Sequence, residues 1–127
     1  MKRSPALQSL SREHHAALKL AKACEHAASS GDAMQLRDAC HRVVDEFLTR
    51  LEPHFVVEEL ELLPLLSATA MQALAERTLA EHAQLRALVE ELQQRCEAEI
   101  LQRFGRSLAA HVRFEERELF AALEELL

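Results

Sequence analysis

The chain has 127 residues, about half of them hydrophobic, enough for one domain around one core. Two Gly, three Pro, five Phe and no Trp or Tyr stand among abundant Ala, Leu, Glu and Arg, a mixture that favours helix over strand. The net charge of -6, with Lys and Arg scattered among acidic residues, excludes the clustered positive surface that nucleic-acid phosphates require.

The first predicted helix opens at Ser4-Pro5, where proline suits the first turn. Leu7, Leu10, His14, Ala17, Leu18, Ala21 and Cys24 then recur at three-four spacing and form one inward stripe. Ser29-Ser30-Gly31-Asp32 reads as a loop, and Asp32 is placed to cap the second helix. The stripe of that helix is Cys40, Val44, Phe47, Leu51, His54, Glu58 and Leu62. Pro53 falls inside it, but the pattern continues in phase, so a bend is expected rather than an end. Pro64 marks the approach to the end, and residues 65–69 lead into a third helix. Its stripe is Ala75, Thr78, His82, Leu85, Val89, Leu92 and Cys96. The fourth helix carries Phe104, Leu108, His111, Glu115, Leu119 and Ala122.

If His82 and His111 share one level of an antiparallel pair, the chain reverses at their midpoint, Cys96-Glu97. The same reasoning for Glu58 and His82 gives Ala70, close to the expected loop at 67–69. For His14 and His54 it gives Met34, a few residues beyond Gly31. The predicted architecture is an all-α, up-down-up-down four-helix bundle spanning 1–127 as a single domain.

One phrase occurs twice. His54-x-x-x-Glu58-Glu59-x-Glu61-Leu62 is echoed by His111-x-x-x-Glu115-Glu116-x-Glu118-Leu119. Helix residues four apart stand one turn above each other, about 6 Å along the axis, so each copy sets an imidazole and a carboxylate on one stripe. His14 and His82 add an in-phase histidine to each remaining stripe. A packed core tolerates such groups only when something satisfies them. The candidate metal ligands are therefore His14, His54, Glu58, His82, His111 and Glu115.

His15 is the alternate to His14 or a supporting group. His26 and His41 read as surface or boundary residues. Glu59, Glu61, Glu116 and Glu118 read as solvated. Imidazole with carboxylate suits iron, manganese or zinc, whereas calcium and magnesium favour oxygen shells. Four histidines and two glutamates exceed what one tetrahedral zinc needs, so the count points to two ions. If both glutamates bridge, each ion receives two imidazoles and two carboxylate oxygens; an oxide or hydroxide bridge would add a fifth bond.

Other chemistry is sparse. No nucleophile-base pair or phosphate-binding loop is visible, so any catalysis would be carried by metal. Phe47, Leu51, Val112 and Phe114 are candidates for an apolar shell. Cys24, Cys40 and Cys96 form no C-x-x-C and no even set, so no disulfide is expected. That pattern, with no apolar signal core and no run of roughly 18 apolar residues, points to a reducing cytoplasm and no membrane span. The apolar Leu123, Leu126 and Leu127 could seed a homodimer contact.

Leu10-Ser11-Arg12-Glu13-His14, His54-x-x-x-Glu58-Glu59, Glu81-His82 and His111-x-x-x-Glu115-Glu116 together resemble the hemerythrin-like proteins, or HHE cation-binding domains, over nearly the whole chain. The resemblance implies a four-helix bundle with a non-heme di-iron centre. Glu58 and Glu115 would bridge, His14 and His54 would serve one iron, and His82 and His111 the other. Oxygen-carrying hemerythrins have a second histidine one turn after the third-helix histidine, where this chain has Arg86. They usually carry an aspartate five residues after the last histidine, where this chain has Glu116 and offers Glu115 at four. The pattern is closer to bacterial hemerythrin-like proteins linked to nitric oxide, peroxide or iron-sulfur repair. The expected function is binding of, or reaction with, dioxygen, peroxide or nitric oxide. The alternatives are a sensor or iron-handling module without turnover, and a plain helical scaffold whose histidines are core residues.

Overall fold

The computed structural model describes residues 3–127, and among them every regular element is helical. The first arm is α1 (Pro5–Ser29). The second runs through α2 (Ala33–Glu46), a π turn at Phe47–Leu51, α3 (Glu52–Val57), a second π turn at Glu58–Leu62 and a 3-10 turn at Leu63–Leu66. The third arm is α4 (Gln72–Gln94). The fourth is α5 (Ala98–Phe114), a π turn at Glu115–Leu119 and α6 (Phe120–Glu124). Short connections at 30–32, 67–71 and 95–97 make successive arms antiparallel neighbours in a four-helix bundle.

The local chemistry of the ends is as expected. Asp32 caps α2 by accepting from the backbone N–H groups of Met34 and Gln35. Gly31 takes φ +70°, a left-handed turn that glycine enters without strain. The reversal between the third and fourth arms falls at 95–97, on the predicted midpoint.

The π turns explain how residues spaced by four stay on one face. In a regular helix a step of four overshoots a full turn by about 40°, so such a series drifts around the axis. In each π turn the N–H of the following residue reaches back five positions: Glu52 to Phe47, Leu63 to Glu58 and Phe120 to Glu115. The wider turn takes up the drift. It also answers Pro53, which follows the first π turn after one residue, Glu52. As expected the helix does not end there, and the hydrogen-bond pattern changes just before the proline.

Two apolar clusters fill the bundle. One includes Leu20, Phe47, Leu51, Phe55, Leu85, Phe104 and Val112. The other includes Leu10, Leu62, Leu66, Phe114, Leu119 and Phe120. Between them every arm contributes buried polar side chains: His14, then His54 and Glu58, then His82, then His111 and Glu115.

Four expectations need correction. Val43, rather than Val44, is the fully buried valine of α2, and Val44 packs half-buried beside it. Cys96 does not face the core; it is exposed in the connection at 95–97. Cys40 and Cys96 form a disulfide, with Cα atoms 6.1 Å apart across a sequence separation of 56. Sequence spacing carried no sign of it, because the bundle, not the local chain, brings the two together. The argument from cysteine pattern to a reducing compartment loses its basis. Lastly, Leu123 is buried in the second cluster, leaving only Leu126 and Leu127 exposed at the C-terminal end. No helix of the described residues is long and apolar enough to cross a membrane.

Candidate metal centre

The six residues singled out in the sequence meet at one level of the bundle and are all buried, Glu58 and Glu115 at 0% exposure. His15, His26 and His41 are exposed, which separates His14 from its neighbour. The six fall into two groups sharing both glutamates: His14, His54, Glu58 and Glu115, and Glu58, His82, His111 and Glu115. Within each, one donor atom per residue lies within 4.8 Å of all the others.

Each carboxylate divides its oxygens between the groups. Glu58 Oε2 lies 3.2 Å from His54 Nε2, and Glu58 Oε1 lies 3.0 Å from His82 Nε2. Glu115 Oε1 lies 2.8 Å from His14 Nε2 and 3.7 Å from His54 Nε2. Glu115 Oε2 lies 3.1 Å from His111 Nε2 and 3.6 Å from His82 Nε2. Donors bound to one ion at roughly 2.0–2.2 Å stand about 3 Å apart, so this spacing suits ligation.

Hydrogen bonding leads the same way. Although close, Glu58 Oε1 and Oε2, Glu115 Oε2, His82 Nε2 and His111 Nε2 are buried without a hydrogen-bond partner. Buried polar groups are ordinarily paired, so orphans concentrated at one point need an explanation. A cation satisfies all five, and the nitrogen and oxygen donors have the chemistry for one.

The outward nitrogen of every imidazole is held by a carboxylate from another arm. His14 Nδ1 lies 2.6 Å from Glu116, His54 Nδ1 2.8 Å from Glu13, His82 Nδ1 2.7 Å from Glu59, and His111 Nδ1 2.7 Å from Glu81. The pairs form a closed circuit. The fourth arm holds the histidine of the first, the first that of the second, the second that of the third, and the third that of the fourth. A carboxylate at Nδ1 fixes the ring and directs the Nε2 lone pair inward. Glu59 and Glu116, expected to be solvated, are thus part of the site, as are Glu13 and Glu81; Glu61 and Glu118 are exposed.

Three of the four outer carboxylates have further anchors. Arg86 donates to Glu59 at 2.8 Å and also pairs with Glu52. Arg77 donates to Glu81 at 2.9 Å and stacks over Phe114 with its guanidinium carbon 3.9 Å from the ring centroid. Glu116 accepts from Ser11 at 2.9 Å and from Arg3. Two aromatic rings bracket the layer: Phe55 stacks on His82 at 3.9 Å between centroids, and Phe120 on His14 at 5.2 Å. Neither stood out in the sequence. The expected shell residues Phe47, Leu51, Val112 and Phe114 are buried in the flanking clusters.

The electrostatics follow from six ionisable groups in one dry layer. Burial alone lowers an imidazole pKa, yet all four are raised, because the Glu115 carboxylate and its neighbours favour the cation. For His54, burial is outweighed by Glu115 and Glu58, to about 11; for His111, by Glu115 and Glu81, to about 9. Burial opposes the Glu115 charge, but the surrounding histidines hold its pKa well below the usual carboxylate range. Burial and the Glu115 charge push Glu58 upward. Without an ion, protons take the place of positive charge in this layer.

The sequence matches the family model for the hemerythrin HHE cation binding domain over residues 6–123. No curated protein and no solved structure shows a significant match. The family match and the buried His/Glu layer agree on a cation-binding helical domain, and the chain belongs to the hemerythrin HHE family.

Proposed function

We propose that His14, His54, Glu58, His82, His111 and Glu115 hold two iron ions, and that the centre binds or reacts with a small oxidant: dioxygen, peroxide or nitric oxide. The observation carrying this reading is the division of Glu58 and Glu115, each of which turns one oxygen toward each histidine pair. Two shared carboxylates and four imidazoles match a pair of ions better than one. Iron is favoured by the family resemblance; manganese and zinc accept the same donors.

When bound, the ions would supply the electrons and the Lewis acidity. The chain's own part is to orient and to exclude water. The four outer glutamates fix the imidazoles, the two carboxylates offset cationic charge, and Phe55 and Phe120 cover the rings. No other buried polar side chain except Thr78 lies in the described core, and Thr78 donates to the carbonyl of Leu74.

A second reading is a sensor or iron-handling module without turnover. The orphaned carboxylate oxygens favour it, since loss of the ions leaves only protons to balance them in a dry layer and ties the bundle's state to metal occupancy. Metal quantitation with absorption spectroscopy tests both. Two irons per chain, with bands that change when nitric oxide is added, support the centre. Catalytic turnover of peroxide or nitric oxide then selects the first reading, and metal-dependent stability without turnover selects the second.

A further inference from the structure

The circuit of outer carboxylates has one weak link. Glu59, Glu81 and Glu116 each pair with an arginine, and their side chains are 20%, 24% and 32% exposed. Glu13 is 48% exposed, and among the described residues its only ionic partner is His54. A cavity of about 320 Å³ opens beside it between the first and second arms. Ala16, Ala17, Leu20 and Leu51 give this cavity an apolar part, and Glu13 and His54 are among its polar lining. Four further cavities touch none of the six inward residues.

His54 Nδ1 bonds Glu13 on the cavity side, while its Nε2 faces Glu58 and Glu115. One imidazole therefore separates the cavity from the centre. Leu51, on the opposite wall from α1, closes the first π turn, where the helix is locally widened. The charged lining groups balance, Arg12 and Arg50 against Glu13 and Glu46, so neither ion sign is selected. Apolar walls with a balanced rim suit a small uncharged molecule.

We propose that this cavity is the access route by which a small uncharged oxidant reaches the centre, with Glu13 as its gate. Its singly held carboxylate swings into solvent and frees the His54 edge, a motion the three arginine-held glutamates resist. The proposal rests on the metal-centre reading above.

The test is stopped-flow binding of nitric oxide to the iron-loaded chain, with iron content measured for each variant. Ala16→Phe fills the cavity from its half-buried wall. It should lower the association rate by about tenfold, leaving equilibrium affinity and iron content unchanged, as narrowing a gated path does. Glu13→Ala should raise the rate. Ala39→Phe, which fills a cavity that touches neither His54 nor Glu13, should match the wild type. Should Ala16→Phe lose iron, Ser9→Trp at the exposed rim gives the same comparison. Fully loaded cavity-filling variants with wild-type association rates overturn the route while leaving the centre intact. A wild-type chain that takes up no iron overturns the centre and the route together. Independently of metal, crystals of the wild type under xenon should show xenon beside Leu20 and Leu51, and crystals of Ala16→Phe should not; an empty wild-type cavity contradicts the proposal.

Discussion

Arg86 Nη1 donates to Glu59 Oε2 at 2.8 Å, and that same oxygen lies 2.7 Å from His82 Nδ1. The position that carries a second histidine in oxygen-carrying relatives here supports an imidazole from behind. Arg86→Met keeps an aliphatic stem but frees Glu59. Loss of such an outer support typically weakens metal binding by about 10- to 100-fold. Competition with a chelator measures it, with Arg86→Lys recovering part of the loss. Unchanged affinity in Arg86→Met would show that Glu59 needs no anchor.

Gly105 lies within α5, where alanine is intrinsically better by about 1 kcal/mol. Here packing outweighs propensity. A Cβ at 105 would stand 2.9 Å from the Ala21 carbonyl oxygen and 3.0 Å from Cys24 Cβ, both on α1. Neither can yield without moving the helix. Gly105→Ala should destabilise the bundle by about 1–3 kcal/mol, the usual range for overpacking, as read by chemical denaturation. A stabilised variant would mean that the arms are not in such close contact.

The Cys40–Cys96 disulfide predicts one free thiol per denatured, unreduced chain, that of Cys24, and three after reduction. Burial pushes the Cys24 thiol up to about 12, so in the folded chain it should resist alkylation. Closing a loop of this length contributes about 4 kcal/mol in the chain-entropy estimate, so reduction should lower the midpoint of denaturation markedly. Three thiols in unreduced protein would remove the link.

The fold was legible because the stripes have helical period and the turns carry their own chemistry, as at Gly31-Asp32. The inward half of the candidate centre was legible as well, because His54/Glu58 and His111/Glu115 are one helical turn apart and the motif repeats. The outward half was not. Glu59 and Glu116 look solvated when read along their own helix, since the imidazoles they hold, on His82 and His14, belong to other arms. The disulfide was hidden for the same reason. Phe55 and Phe120 are apolar residues among many, and only the stacking on His82 and His14 distinguishes them. The π turns left one indirect trace: His54, Glu58 and Leu62, and likewise His111, Glu115 and Leu119, are spaced by four twice in succession, which drifts off one face in a regular helix.

The metal-free chain should lose stability as pH rises above neutrality. His54 and His111 titrate near 11 and 9 in the fold, against about 6.5 when unfolded. Their stabilising contribution is complete below about pH 6.5 and is lost as pH rises through those values. Glu58, also raised, acts in the same sense, whereas Glu115, held low, withdraws its contribution as pH falls. Ions require deprotonated imidazoles, so the gap in Tm between metal-loaded and metal-free protein should widen from pH 7 to pH 9 in thermal scans. A gap that narrows with rising pH would contradict this assignment.

Elemental analysis of the purified chain, repeated for Glu58→Ala/Glu115→Ala, addresses the centre most directly. Two irons per wild-type chain and none retained by the double variant, with helical content preserved, is the predicted result. One ion per wild-type chain, or full loading of the double variant, would contradict a pair of ions shared between these two carboxylates.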